Sequence, residues 1–175
     1  MIPAWRRGDE WAFRTESPQY QGTFVWSVDR EEAMNGEQYY VLKSGTTREI
    51  YFRKLDFAYL MDRVNGEVET RNNPPARWVP SPFVAGEKWE VKYTIERPRD
   101  RQTTEVVMAC ESVAEEQVTV PAGSFNALRV VCKNGRTGNL WSETWYAMAV
   151  KQMVREKLYF SSGLRTRELI AFKIQ

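Results

Sequence analysis

Trp89-Glu90-Val91-Lys92-Tyr93-Thr94-Ile95-Glu96 alternates apolar and polar residues without a break. Successive side chains of a strand point to opposite faces, so this spacing predicts a β-strand with one buried and one wet face. The same period recurs in Trp11 and Phe13, in Phe24, Trp26 and Val28, and in Ile170, Phe172 and Ile174. Between these runs stand turn formers: Asn35-Gly36, Ser44-Gly45, Asn65-Gly66, Asn134-Gly135 and Ser162-Gly163. Asn-Gly pairs tolerate the positive φ angles of tight hairpins. Short strands and turns alternating at intervals of roughly ten residues predict an all-β chain, an antiparallel meander curved into a sheet, half-barrel or barrel.

Two stretches also fit a helix. Ala147, Val150, Val154 and Leu158 form a helical stripe, and Leu55 to Val64 allows the same reading, so the expectation includes at most one or two short helices. Asn72 to Pro82 carries Pro74, Pro75, Pro80 and Pro82. Prolines fix φ and donate no hydrogen bond, so this stretch reads as a linker rather than a central strand.

On either side of it the chain repeats itself. Gly8-Asp9-Glu10-Trp11 matches Gly86-Glu87-Lys88-Trp89, Leu42-Lys43-Ser44-Gly45 matches Cys132-Lys133-Asn134-Gly135, and Glu49-Ile50-Tyr51-Phe52 matches Glu143-Thr144-Trp145-Tyr146. Leu60 to Arg63 then aligns with Val154 to Lys157, and Asn65-Gly66 with Ser162-Gly163. The matched positions lie 78 residues apart at Gly8 and Gly86 but 97 apart at Gly66 and Gly163, so the second copy carries an inserted arm. The expectation is a single domain, 1–175, with pseudo-repeat halves 8–72 and 86–175 joined by a Pro-rich linker, 73–85, and closing over a shared core.

Composition narrows the function. With 25 basic and 23 acidic residues the net charge is +2, too little for the broad cationic field of a nucleic-acid binder. No run of 18 apolar residues offers a membrane-spanning helix. The chain has no histidine, which removes the commonest general base, the commonest zinc ligand and every Ser-His or Cys-His nucleophile pair. No Gly-rich phosphate loop occurs. Glu111 and Glu143 could be drawn as an acid/base pair, but glutamates on alternating strands are far more often solvated or salt-bridged. No catalytic residue, metal ligand or cofactor is assigned, and the chain is read as no enzyme.

Two cysteines, Cys110 and Cys132, lie in β-like runs on either side of a turn. A cross-strand disulfide and a pair of buried thiols both remain open. Met1-Ile2-Pro3-Ala4-Trp5-Arg6-Arg7 lacks the apolar region of a secretory signal. That reads as cytoplasmic if the start is native, and as periplasmic or cell-envelope if a signal has been removed.

Val118-Thr119-Val120-Pro121-Ala122-Gly123-Ser124-Phe125-Asn126-Ala127-Leu128-Arg129-Val130 reads as strand, tight turn, strand. It resembles the VPAGxFxAxxV signature of an uncharacterised group of bacterial exported β-proteins, often lipoproteins, that includes TapB-like domains. The opening Pro3-Ala4-Trp5, Glu143-Thr144-Trp145-Tyr146 and Arg167-Glu168-Leu169 look like that group too. Where its members carry a Pro-Gly turn after the Trp-Tyr strand, this chain has Met148-Ala149-Val150-Lys151. The resemblance implies a β-rich cell-envelope domain without assigned catalysis.

Aromatic residues make up 13% of the chain and recur at like places in the two copies. Trp26, Tyr40, Tyr51, Trp89, Trp145 and Tyr146 are therefore the candidate contacts for a lipid or other hydrophobic small molecule. The alternative is an assembly module that docks another envelope protein through exposed strands.

Overall fold

The computed structural model describes residues 4–175; Met1 to Pro3, and with them the proline of the opening Pro-Ala-Trp, lie outside the described residues. Six strands come first: β1 (Glu10–Glu16), β2 (Gln21–Met34), β3 (Glu37–Ser44), β4 (Arg48–Arg53), β5 (Tyr59–Val64) and β6 (Glu67–Ala76). Six more follow: β7 (Lys88–Arg97), β8 (Gln102–Val120), β9 (Gly123–Asn134), β10 (Leu140–Ala147), β11 (Gln152–Phe160) and β12 (Gly163–Lys173). Each pairs antiparallel with its sequence neighbours, and β12 returns to β1, with Trp11 opposite Phe172 and Arg14 opposite Glu168. The sheet is a closed twelve-stranded barrel, which settles the choice between half-barrel and barrel. Closure satisfies the backbone groups that an open sheet would leave at its edges.

The turns follow from their residues. Asn35-Gly36 and Asn65-Gly66 take φ values of 51° and 80°, and 53° and 81°, the doubly left-handed geometry that joins adjacent strands with the right twist. The two helix-like stretches are instead turn plus strand. The second contains only a 3-10 turn, Met148–Val150, before β11. Val150, Val154 and Leu158 are four apart, a spacing that a period of 2 satisfies as well as a period of 3.6, and the sheet decides between them. Lys151 takes the left-handed φ of 58° that the missing Pro-Gly would have supplied, and Phe57 takes 56° at the matching place before β5.

The Pro-rich stretch starts later than its composition suggests, because β6 runs through Pro74 and Pro75 to Ala76. The β6–β7 ladder consists of Arg71, Asn72 and Asn73 and stops where the first proline lacks an N–H, while Ala76 pairs on the other side with Tyr59. Residues 77–87 form the actual connection.

The two runs of six strands share local irregularities. Gly8 and Asp9 exchange backbone hydrogen bonds with Val28 (both 2.9 Å), and Gly86 and Glu87 do so with Ser112 (2.6 and 2.9 Å). The ladder shifts register just past Val28 in β2 and just past Ser112 in β8. A second shift falls between Tyr51 and Phe52 in β4 and between Trp145 and Tyr146 in β10.

Trp11, Phe13, Leu42, Val150 and Leu169 are the centre of the main core inside the barrel. A further cluster of Tyr39, Val41, Tyr51 and Met61 is buried on the opposite face of β3 to β5. The long β8–β9 arm folds back onto the barrel. At its Pro121-Ala122 tip the Ala122 amide donates to the Leu169 carbonyl (3.1 Å), Arg155 Nη2 donates to the Thr119 carbonyl (2.7 Å), and the Trp145 indole donates to Glu116. The VPAG hairpin is thus a tether between arm and barrel wall. Cys110 and Cys132 face each other across β8 and β9 with Cα atoms 4.1 Å apart, joined by a disulfide.

Candidate ligand-binding cavity

Inside the barrel lies a cavity of about 620 Å³, within the roughly 300–1,000 Å³ range of small-molecule pockets. Inward positions of β2, β4 and β5 give it an aromatic wall, backed by Phe13 of β1. Phe13 stacks on Phe24 (ring centroids 5.2 Å), Phe24 meets Trp26 (5.6 Å), Trp26 meets Phe52 (6.2 Å), and Phe52 meets Tyr59 (5.5 Å).

One end is closed by hydrogen-bonded tryptophans. Trp5 and Trp11 donate through Nε1 to the carbonyls of Lys151 and Val150, both at 2.7 Å. The fully buried Asp9 ties the same end together: it accepts from the Arg6 amide (2.8 Å), the Gln175 amide (2.8 Å) and Lys151 Nζ (3.1 Å). Trp78, Val79 and Phe83 of the β6–β7 connection also line the cavity, with Trp78 edge-on to Tyr93 at 5.9 Å. Burial pushes the Tyr93 phenol up to about 12 and raises Tyr59 and Tyr146 as well, which keeps these cavity hydroxyls neutral across the physiological range.

Two carboxylates stand in the lining beside Arg48, Arg97, Lys151, Arg165 and Arg167, and they occupy matching places in the two runs of strands. Asp62 of β5 sits opposite Thr70 of β6, and Glu156 of β11 opposite Arg167 of β12. Asp62 is well held, accepting from the Thr70 amide (3.1 Å), the Thr70 hydroxyl and Arg48. Glu156 is not. Its Oε1 stands 3.4 Å from Arg167 Nη1 and 3.7 Å from Arg165 Nη2, without hydrogen-bond geometry to either. Burial, and then the Arg167 charge, lower the Arg165 pKa against the pull of Glu156. At the closed end Gln152 is buried, and its Nε2 has no partner among the described residues.

Of the six aromatics singled out in the sequence, Trp26 and Tyr146 line the cavity. Tyr40 is buried beside Trp5 and Phe57 in the core. Tyr51 belongs to the cluster on the opposite face, under Arg63 (5.1 Å). Trp145, also turned away from Glu156, lies beneath Arg155 and Lys157, and Trp89 donates to the Arg77 carbonyl (3.0 Å). The cavity is also lined by Phe24, Phe52, Glu156, Arg165 and Arg167, which the aromatic repeat does not single out. Their signal was present for the arginines: Arg165, Arg167 and the buried Leu169 share one strand parity, which places two charges on an inward face.

Glu111 and Glu143 both stand opposite Val131, on its two sides, so a strand separates them. Glu143 is engaged by Arg129 (2.8 Å) and the Tyr159 hydroxyl, and Glu111 faces Lys88 at 3.9 Å. Among the described residues no three His, Cys, Asp or Glu side chains converge to hold a metal ion, and no helix is long and apolar enough to cross a membrane.

No protein-family model matches the chain, and no curated protein matches it in sequence. Solved structures do resemble it. A protein from Bacteroides fragilis, described as exported and of YmcC-like fold, superposes with a TM-score of 0.55 at 12% identity over 97% of both chains. A protein from Parabacteroides distasonis described as a lipoprotein gives 0.48 at 16% identity over 97% of both chains. The hypothetical lipoprotein YmcC of Escherichia coli gives 0.45 at 9% identity over 93% of this chain and 83% of its own. The likeness to the Bacteroides fragilis protein is one of fold, and in fold this chain is similar to a YmcC-like barrel.

Proposed function

We propose that the chain is a non-catalytic cell-envelope domain that holds an amphipathic small molecule inside its barrel. The observation that carries this reading is the cavity of about 620 Å³ with its aromatic wall from Phe24 to Tyr59. Barrel width grows with strand number, and twelve strands exceed the roughly eight whose interior side chains just fill, which leaves room for a ligand. Placement in the envelope draws support from the Cys110–Cys132 disulfide, a bond that persists in oxidising compartments. The VPAG resemblance and the exported YmcC-like neighbour point the same way.

The closed ladder confines the alternative, docking a partner through exposed strands, to the stretches that outrun their neighbours, chiefly the arm in which Ala114 to Val120 of β8 pair with β9 alone. A tandem origin of the barrel, with units 8–72 and 86–175, is part of the same proposal. It rests on the shared glycine contacts and register shifts at Val28 and Ser112 and at Phe52 and Tyr146. Under it the cavity is the space that the two units enclose together.

Native mass spectrometry of the protein purified without detergent is expected to show a bound adduct of small-amphiphile mass. Titration with a dansyl-labelled fatty acid is expected to give a saturable, blue-shifted signal at one site per chain. A bare mass together with a non-saturating titration would remove the carrier reading.

A further inference from the structure

We propose that Arg165 and Arg167 form an anion subsite that takes the acidic head group, carboxylate or phosphate, of an acyl ligand whose chain lies along Phe24 and Trp26. This rests on the carrier reading above and names the chemical class of its ligand.

Both guanidiniums line the cavity, and among the described residues neither makes a hydrogen bond. Buried polar groups are hydrogen-bonded as a rule, and an exception needs a reason. The Nε atoms of Arg165 and Arg167 are buried without a partner, while the side chains as a whole stay 30% and 23% exposed, so the forks open onto the cavity with the 17% exposed Glu156 as their near counter-charge. The one carboxylate nearby is divided between two cations at 3.4 and 3.7 Å, without hydrogen-bond geometry to either, which leaves an unbalanced positive charge facing the cavity. The matching place in the first run of strands shows what a satisfied arrangement looks like, since there Asp62 is bonded by Arg48 and Thr70. Two adjacent guanidinium forks suit a carboxylate or phosphate, each of which can accept several N–H bonds at once.

The apolar wall begins where the charges end. Arg167 lies over the Phe24 ring at 5.1 Å. In the ladder Arg167 stands opposite Thr15 and Thr15 opposite Gly22, so Phe24 and Trp26 are the next two inward positions along β2. With the Arg167 guanidinium already over Phe24, the two residues from Phe24 to Trp26, at about 3.3 Å each, carry the wall roughly 7 Å beyond it. A head group at the arginines and a chain running past Phe24 and Trp26 toward the closed end use both features.

The test is displacement of the dansyl-labelled fatty acid by palmitate, hexadecyl phosphate, hexadecanol and inorganic phosphate. The wild type is expected to prefer the two acidic amphiphiles over hexadecanol by on the order of tenfold, the value of one charge-assisted hydrogen bond. Arg165→Gln/Arg167→Gln is expected to abolish that preference and to leave hexadecanol affinity within about twofold. Glu156→Gln, which frees the arginines of their competitor, is expected to strengthen acid binding several-fold and serves if the double variant does not fold. An unchanged acid-to-alcohol ratio in the variants, or equal binding of palmitate and hexadecanol by the wild type, overturns the subsite while the carrier reading stands. Binding of no amphiphile overturns both. Inorganic phosphate displacing as well as hexadecyl phosphate would make the arginines a site for the free anion and overturn the head-group assignment.

Discussion

Replacing Asp9 with alanine is expected to cost about 3–5 kcal/mol of stability. Asp9 is 0% exposed, and its carboxylate receives Lys151 Nζ at 3.1 Å and the amides of Arg6 and Gln175 at 2.8 Å each. Breaking a buried ion pair from one side costs about 3–5 kcal/mol because the remaining charge is stranded. Lys151 is itself only 15% exposed, so little of that penalty is returned by hydration. Lys151→Met removes the stranded ammonium, and Asp9→Ala/Lys151→Met should therefore lose less than the two single changes added together. Urea unfolding followed by tryptophan fluorescence yields all four stabilities. A loss under about 0.5 kcal/mol for Asp9→Ala, or a cycle additive to within about 0.5 kcal/mol, would refute the claim that this pair fastens the closed end.

The disulfide and one acidic side chain give two further expectations. With its cysteines 22 positions apart in sequence, the Cys110–Cys132 bond is expected to contribute about 3 kcal/mol through the unfolded state, so Cys110→Ala/Cys132→Ala should unfold at correspondingly lower urea. Titration of two thiols in the unreduced, denatured wild type would remove the bond itself. Burial raises the Asp56 carboxyl, but the Arg53 guanidinium and the Ala58 amide outweigh it and hold the pKa below its ordinary 3.8. A depressed carboxyl stabilises the fold above the unfolded pKa and loses that contribution as pH falls through the folded one. Asp56→Asn should therefore destabilise at pH 7, with the gap to wild type closing below about pH 4. A gap independent of pH between 7 and 2 would contradict the assignment.

The sequence by itself determined what depends on neighbours along the chain. The alternation from Trp89 to Glu96 makes β7 a strand, and Asn35-Gly36 and Asn65-Gly66 make tight hairpins, because period-2 burial and left-handed turn geometry are written into a few adjacent residues. The all-β class and the antiparallel order followed from these. Tertiary structure alone decided the closure of β12 on β1, since a pairing across the whole chain has no local signature. It also decided which aromatics face the cavity. Plain alternation puts Tyr51 and Phe52, and Trp145 and Tyr146, on opposite faces, but an extra residue across each ladder, Leu60 in β5 and Val154 in β11, turns Tyr59 and Met153 to the cavity while Met61 and Arg155 stay on the opposite face. A bulge of one residue reverses every face beyond it, and no residue type announces it. For the same reason Arg165 and Arg167 read in isolation as a solvated face. Only the burial of Leu169 on the same parity, and a barrel closed around them, turn two ordinary charges into cavity-lining groups, each with a buried Nε that lacks a partner among the described residues.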